Sequence, residues 1–166
     1  MTDTPIEAGP FRVLFVCTGN TCRSPMAEVI ARRRVADLGW EQVEVASAGV
    51  AAADGYPASG GSVRAAEAHG LDLADHQSTL LTRSLVDEAD LILTMSAGHL
   101  PRVLQLEGGD RAAVITAFAA GGSDEGGGGG VPDPIGGPDA EYAETFVVLD
   151  DLIQRALARL EPVVNP

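Results

Sequence analysis

The chain has 166 residues, a formal net charge of −13 and eleven basic side chains, all of them arginine. This length fits one domain with a single core, and the negative charge argues against nucleic acid or an anionic membrane as a partner. Because the chain contains no lysine, it cannot hold the lysine-bearing phosphate loop of kinases and NTPases.

Hydrophobic patterning predicts strands that alternate with helices. Residues 12–17 form a short apolar run, typical of a fully buried strand. A helix follows, with Ser24 as its predicted cap and Pro25 in its first turn, and it ends near Gly39. Further strands are predicted at residues 43–46, 89–95 and 112–116, and further helices at 62–69, from a cap at Ser96 toward Leu106, and at 140–160.

This alternation predicts an α/β fold, a single domain with a four-stranded parallel, doubly wound sheet and helices on both faces. In such folds ligands bind outside the carboxyl ends of the strands. The segment that follows residue 17 is therefore expected in the ligand crevice.

The ends of the chain carry little patterning. We predict a disordered N-terminal tail at residues 1–10, a domain at 11–161 with a flexible glycine-rich loop at 121–130, and a C-terminal tail at 162–166. Residues 1–10 lack the basic and apolar regions of a targeting signal. No apolar stretch approaches the ~20 residues of a membrane span, so a cytoplasmic location is expected.

The segment between the first strand and the first helix combines a nucleophile, Cys17, with a fixed cation, Arg23. The residues between them are Thr18, Gly19, Asn20, Thr21 and Cys22. A loop of this kind can curl until its N–H groups converge on an anion. These dipoles and the guanidinium favour the thiolate, and Arg23 offers a planar fork for two phosphoryl oxygens. The loop is therefore predicted to bind phosphate beside a nucleophilic thiol.

The segment Val16–Glu28, VCTGNTCRSPMAE, resembles the signature of the low-molecular-weight protein tyrosine phosphatase family. The Cys-x5-Arg spacing alone is only moderately specific, but Gly19-Asn20, Ser24-Pro25 and the preceding strand strengthen the match. The alternative is a buried structural cysteine beside a surface arginine. The resemblance implies the family's fold from Phe11 to about Leu160. It also implies hydrolysis of a phosphorylated protein through a phosphocysteine, with inorganic phosphate as product.

Asp133 is predicted to be the general acid. It lies in VPDPIGG, residues 131–137, before the last helix, and the family's general acid is an Asp-Pro in this position. A carboxyl group there can protonate the leaving group and then activate water against the phosphocysteine. Without the Cys17 loop, a turn-forming aspartate would be the simpler interpretation.

Supporting residues are predicted around the loop. Asn20 tolerates a left-handed backbone, and Ser24 can donate a hydroxyl to the thiolate. Ser47 resembles the family's partner for that asparagine. Cys22 resembles the neighbouring cysteine that forms a reversible disulfide with the nucleophile, although a packing role is equally open.

No metal or cofactor is expected. Cys17 and Cys22 have no second ligand cluster, and His69, His76 and His99 are scattered along the chain. The Asp-His pair that ends at His76 matches a recurrent family segment, but a structural role is expected for this histidine.

Two positions bear on substrate choice. Tyrosine-specific members usually carry a bulky aliphatic residue where this chain has Thr21, and aromatic residues where it has Ile135 and two glycines. Both features resemble the bacterial protein-arginine phosphatase branch. Trp40 or Tyr56 could still supply an aromatic wall. The sequence favours phosphoarginine, with a tyrosine or aryl phosphatase, an arsenate reductase and a redox-sensing phosphate-binding protein as alternatives.

Overall fold

Strands and helices alternate through most of the chain. The structure is a computed structural model that describes residues 9–121 and 130–165. In these ranges the strands are β1 (Phe11–Cys17), β2 (Val43–Gly49), β3 (Leu91–Thr94) and β4 (Ala112–Val114). The helices are α1 (Arg23–Asp37), α2 (Gly60–Ala68), α3 (Arg83–Glu88), α4 (Leu100–Gln105), α5 (Ile115–Ala119) and α6 (Asp139–Val164).

The strands form one parallel sheet in the order β2-β1-β3-β4. The register pairs Cys17 with Gly49 and Val16 with Thr94, so three strands end at the same edge of the sheet. The predicted α/β class and parallel sheet are confirmed. The loop after β1 accordingly opens at the carboxyl edge.

The central strand β1 is covered on both faces, which explains its unbroken apolar run. Its residues Val13 and Phe15 belong to a core shared with α1, α2 and α6. Leu14 and Val16 belong to a second core on the opposite face, with Val86 of α3 among its members. Full burial of each such side chain contributes about 1.5–3 kcal/mol, so β1 is the most firmly held part of the sheet.

The structure differs from the predicted elements mainly in short segments. The helices α3 and α5 have six and five residues, too few for a helical period to be read from the sequence. β4 ends at Val114, and α5 takes the residues predicted to complete that strand. β2 continues to Gly49 because its last residues pair with β1.

The predicted tails and glycine-rich loop are only partly described. Residues 1–8, 122–129 and 166 lie outside the described residues. At the C-terminal end, α6 continues to Val164, past the predicted domain end at residue 161.

The contact between α2 and α6 offers a test of the packing. A Cβ atom added to Gly61 would overlap the ring of Tyr142, whereas one added to Gly60 would meet the movable guanidinium of Arg64 at 3.0 Å. Gly61→Ala should lower the free energy of unfolding by about 1–3 kcal/mol. Gly60→Ala, one residue away, should leave that free energy unchanged or slightly raised. Urea denaturation measures both, and equal effects would contradict the packing described.

Candidate active site

The loop of residues 18–22 is shaped by donors from the neighbouring segment. The N–H groups of Val50, Ala51 and Ser59 donate to the carbonyl oxygens of Cys17, Thr18 and Thr21 at 3.0, 2.9 and 2.8 Å. In a trans peptide the C=O and the following N–H point in opposite directions. Carbonyl groups that point outward therefore turn the N–H groups of the loop inward, as an anion-binding nest requires.

Cys17, the last residue of β1, is buried and faces the first turn of α1. Its Sγ lies 2.9 Å from Ser24 Oγ, which also accepts a hydrogen bond of 2.7 Å from the side-chain amide of Asn20. With that amide donating to it, the Ser24 hydroxyl can donate its own hydrogen to the sulfur. The predicted capping role of Ser24 is wrong: Cys22 occupies the N-cap position, and Ser24 sits inside the turn, where its hydroxyl reaches Cys17.

Asn20 holds the loop in place. Its φ is 57°, a left-handed conformation that costs most residues with a Cβ about 1–2 kcal/mol and that asparagine adopts more readily. The side-chain amide donates to Ser47 Oγ at 2.9 Å, and Oδ1 accepts from the backbone N–H of Thr79 at 2.9 Å. His76 Nε2 lies 2.7 Å from the backbone oxygen of Asn20. The structure thus brings Asn20, Ser24 and Ser47 together as predicted, and His76 contacts the loop from outside.

Arg23 is buried beside the loop, with only 6% of its surface exposed. Its Nη1 donates to the backbone oxygen of Val131 at 3.0 Å. Its Nη2 lies 3.5 Å from Asp133 Oδ2 and 3.5 Å from Thr18 Oγ1. The guanidinium is therefore fixed between the loop and the segment that carries Asp133.

Asp133 reaches the loop because its segment is tied to β3. The N–H of Val131 donates to the backbone oxygen of Met95 at 2.7 Å. Gly130 has a φ of 65°, and a Cβ there would come within 2.8 Å of Ser96 Cα. Asp133 Oδ1 accepts from the N–H of Ile135 at 3.1 Å. The side chain of Asp133 remains 40% exposed, so the carboxylate lies at the mouth of the site.

Cys22 is also buried, but its sulfur points to other elements. Its thiol donates to Ser59 Oγ at 3.3 Å and lies 3.7 Å from the Tyr142 hydroxyl. Burial raises the pKa of Tyr142, a hydrogen bond with Ser59 acts in the opposite direction, and the contact with Cys22 raises the pKa further. Cys17 and Cys22 are both free thiols. Ser59 and Tyr142 are absent from the sequence prediction because both lie far from the loop in the chain.

The most informative residue that sequence analysis missed is His99. It is buried, and its Nε2 lies 2.9 Å from Thr18 Oγ1. Burial and then the charge of Arg23 lower its pKa to about 4, although Asp133 acts in the opposite direction. The available signal was its position: His99 closely follows β3, the neighbour of β1, so parallel pairing places it near the same edge.

The two specificity positions have different exposure. Thr21 is half-buried in the loop, and its Oγ1 lies 3.8 Å from Cys22 Sγ. Ile135 is 66% exposed beyond Asp133.

The two aromatic residues considered as walls also differ. Trp40 precedes β2, whose first residue pairs with Phe11 at the amino end of β1. The suggestion that Trp40 approaches the site is therefore wrong, because it lies at the opposite end of the sheet. Tyr56 lies three residues before Ser59, whose N–H donates to the loop at Thr21, and Tyr56 is 61% exposed.

Two features of residues 9–121 and 130–165 bear on other functions. No group of three or more His, Cys, Asp or Glu side chains there is arranged to hold a metal ion. None of the helices in these ranges is long and apolar enough to cross a membrane.

A cysteine and an arginine in one anion-binding loop, with a carboxylate at its mouth, define a phosphatase of the cysteine-dependent class. A family model described as low molecular weight phosphotyrosine protein phosphatase matches residues 12–164. The chain belongs to this family, which confirms the resemblance and the predicted phosphatase chemistry.

Individual relatives agree with this assignment. The protein-arginine-phosphatase of Geobacillus stearothermophilus is 36% identical over 92% of this chain and 97% of its own. The low molecular weight protein-tyrosine-phosphatase of Streptomyces coelicolor is 38% identical over 93% of this chain and 96% of its own length. A solved mutant of the YwlE arginine phosphatase, with a phosphorylated active-site serine, has a TM-score of 0.84 and 33% identity, covering 91% of this chain and 96% of its own.

The lowered pKa of His99 predicts a pH-dependent stability. Between pH 6.5 and about 4 the unfolded chain binds more protons at this ring than the folded chain, so its contribution to folding falls as pH falls. Relative to His99→Gln, which does not titrate, the wild type should lose at most about 3 kcal/mol of unfolding free energy over this interval. Urea denaturation at several pH values measures the difference. A difference independent of pH would refute the assigned shift.

Proposed function

We propose that this chain is a protein-arginine phosphatase and that Cys17, Arg23 and Asp133 carry the reaction. The position of Arg23 is the main support. Its guanidinium lies 3.5 Å from the Thr18 hydroxyl and 3.5 Å from the Asp133 carboxylate. The loop that carries the nucleophile, the guanidinium of Arg23 and the carboxylate of Asp133 therefore lie together at one end of the sheet.

In the first step the thiolate of Cys17 attacks phosphorus, and the bond from phosphorus to the leaving nitrogen breaks. Inward N–H groups of the loop and the fork of Arg23 neutralise the charge on the phosphoryl oxygens. Asp133, in its protonated form, gives its proton to the departing guanidine. The products of this step are a free arginine side chain and a phosphocysteine.

In the second step the Asp133 carboxylate takes a proton from water, which attacks the phosphocysteine. The bond from sulfur to phosphorus breaks, inorganic phosphate leaves and the Cys17 thiolate is restored. Ser24 supports this step because its hydroxyl, 2.9 Å from Sγ, can donate to the returning thiolate. Asn20 and Ser47 act by holding Ser24 and the loop in place.

The preference for phosphoarginine rests on Thr21 and Ile135. Thr21 places a hydroxyl, rather than a larger aliphatic branch, at the loop, and Ile135 offers no aromatic face to a phenyl ring. The relative from Geobacillus stearothermophilus is named for arginine, whereas that from Streptomyces coelicolor is named for tyrosine. Tyrosine phosphatase activity is therefore the second candidate. Arsenate reduction is less favoured because the chain has no cysteine after Cys22 to form an internal relay.

We further propose that the protein acts on phosphorylated proteins in the cytoplasm. A reactive thiol with a second free thiol in the same loop requires a compartment that keeps cysteine reduced.

Asp133→Ala tests the acid and base roles. The variant should lose about 10²–10⁴-fold in rate with phosphoarginine peptides and much less with 4-nitrophenyl phosphate, whose leaving group departs without a proton. Phosphocysteine should accumulate in the variant and be detectable by mass spectrometry. Cys17→Ser is the matched control, since it should lack turnover and form no phosphocysteine while still binding phosphate. Equal losses on both substrates would contradict the role of Asp133.

Thr21→Ile tests substrate preference. Wild type should hydrolyse phosphoarginine peptides with a higher kcat/KM than matched phosphotyrosine peptides. The added branch and the lost hydroxyl should lower this ratio in the variant. The proposed preference is rejected if wild type favours phosphotyrosine or if the ratio is unchanged or raised.

Cys22→Ser tests redox protection. Peroxide should oxidise Cys17 first, and Cys22 should capture the sulfenic acid as a disulfide with release of water. Wild type should then recover with a thiol reductant, whereas the variant should progress to forms that reductant cannot restore. The measurements are activity recovery and mass spectrometry of the peptide that contains both cysteines. Equal recovery would assign Cys22 to packing with Ser59 and Tyr142.

A further inference from the structure

His99 links the turn after β3 to the phosphate loop, and each nitrogen of its ring has a different partner. Nδ1 lies 3.1 Å from the backbone N–H of Ser96, and Nε2 lies 2.9 Å from Thr18 Oγ1. Nδ1 also lies 3.1 Å from Ser96 Oγ, a hydroxyl that can donate or accept. A backbone N–H can only donate, so the contact with the Ser96 N–H assigns Nδ1 as the acceptor. The proton of the neutral ring is therefore on Nε2.

This tautomer decides what the Thr18 hydroxyl can do. Nε2–H donates to Thr18 Oγ1, and Arg23 Nη2 is a second donor 3.5 Å from the same oxygen. A hydroxyl has two acceptor lone pairs and one hydrogen to donate. Because His99 and Arg23 both donate to the oxygen of Thr18, the hydroxyl hydrogen of Thr18 is available to donate to another acceptor.

We propose that His99 is a positioning residue that makes Thr18 a hydrogen-bond donor to a phosphoryl oxygen and holds it beside Arg23. This inference rests on the proposed phosphatase function, because the acceptor is the phosphoryl group that the loop would bind. His99 itself reaches the substrate only through Thr18.

The surroundings of the ring keep it neutral, as this role requires. Arg23 of α1 and Asp133 of the segment before α6 are the charged groups that act on it, and a backbone hydrogen bond with Ser96 acts with Asp133 to raise its pKa. Burial and Arg23 lower the pKa of His99 to about 4. The anchoring turn is itself fixed, since the Thr94 hydroxyl donates to the backbone oxygen of Ser96 at 2.9 Å.

Two amide variants separate positioning from a purely structural role. The side-chain amide of glutamine can reach the place of Nε2, so His99→Gln should keep a donor to Thr18. The shorter asparagine can reach only the place of Nδ1, so His99→Asn should keep the contact to Ser96 and lose the one to Thr18. Circular dichroism and thermal melting establish that each variant is folded.

The first readout is the Kd of inorganic phosphate, measured by protection of Cys17 against iodoacetate. His99→Asn should weaken binding by about tenfold or more, the effect of losing one hydrogen bond to a charged group. His99→Gln should stay within about threefold of wild type because it keeps the donor to Thr18. Equal phosphate affinities of the two variants, or tighter binding by the asparagine variant, would overturn the proposal. If His99 only capped the turn through Ser96, asparagine, which keeps that contact, would be the better replacement.

A double-mutant cycle identifies Thr18 as the intermediary. In a Thr18→Val background the hydroxyl is gone, so the glutamine and asparagine variants should bind phosphate equally. A difference that persists there would show that His99 acts by another route, and the proposal would fail.

The wild type provides a test that does not depend on the folding of any variant. NMR of protein labelled with ¹⁵N in its histidines distinguishes the two neutral tautomers. A proton on Nε2 of His99 supports the proposal, and a proton on Nδ1 overturns it.

Failure of the proposed function gives a different result. Wild type would then bind phosphate, with the same order among the His99 variants, but would not turn over phosphoarginine peptides, whether or not it hydrolyses phosphotyrosine peptides. Failure of the His99 proposal alone would leave turnover intact and remove the difference between glutamine and asparagine.

Discussion

The left-handed backbone of Asn20 is the constraint on which the site depends. At this residue the chain turns within the loop, so that residues on either side can face one centre. Asparagine adopts this conformation more readily than most residues that carry a Cβ, and four contacts hold Asn20 in it, three of them from segments distant in the chain. They come from Ser24 in α1, Ser47 in β2, and His76 and Thr79 in the segment after α2. The loop therefore adopts its shape only when the surrounding domain is folded.

The same network links the loop to the chemistry proposed for it. The Asn20 amide donates to Ser24 Oγ, which leaves the serine hydrogen free to be donated to Cys17 Sγ. On the other side, the His99 ring and Arg23 both face the hydroxyl of Thr18. In each case a buried side chain determines the direction of a hydroxyl group. The polar lining of the site is thus oriented before a phosphoryl group arrives, which is the arrangement that electrostatic stabilisation requires.

How much of this could be predicted depended on distance along the chain. β1, the loop and Arg23 form one continuous segment. A cysteine and an arginine at this spacing after a buried strand fit few functions other than phosphate chemistry, so this part of the site could be predicted. Asp133 was found from a local turn pattern and the family resemblance. By contrast, His99 lies 81 residues from Thr18, and Tyr142 lies 120 residues from Cys22. Such contacts are created by strand order and helix packing, and a lone histidine or tyrosine carries no local sign of them. Ser24 was misassigned because a serine before Pro25 satisfies the usual pattern of a helix cap.

The position of Cys17 at the end of the central strand has a consequence for local opening of the protein. β1 is paired on both sides and covered on both faces, so we expect the amides of this strand to exchange only when the sheet itself opens. Asp133 lies on a segment tied by the Val131 N–H to Met95 and by the Val131 carbonyl to Arg23. Val131 is itself buried in the core that contains Phe15, whereas Asp133, two residues further on, has a side chain that is 40% exposed. The candidate acid can therefore move by local opening of the exposed residues beyond Val131, while the nucleophile is held at the end of a strand covered on both faces.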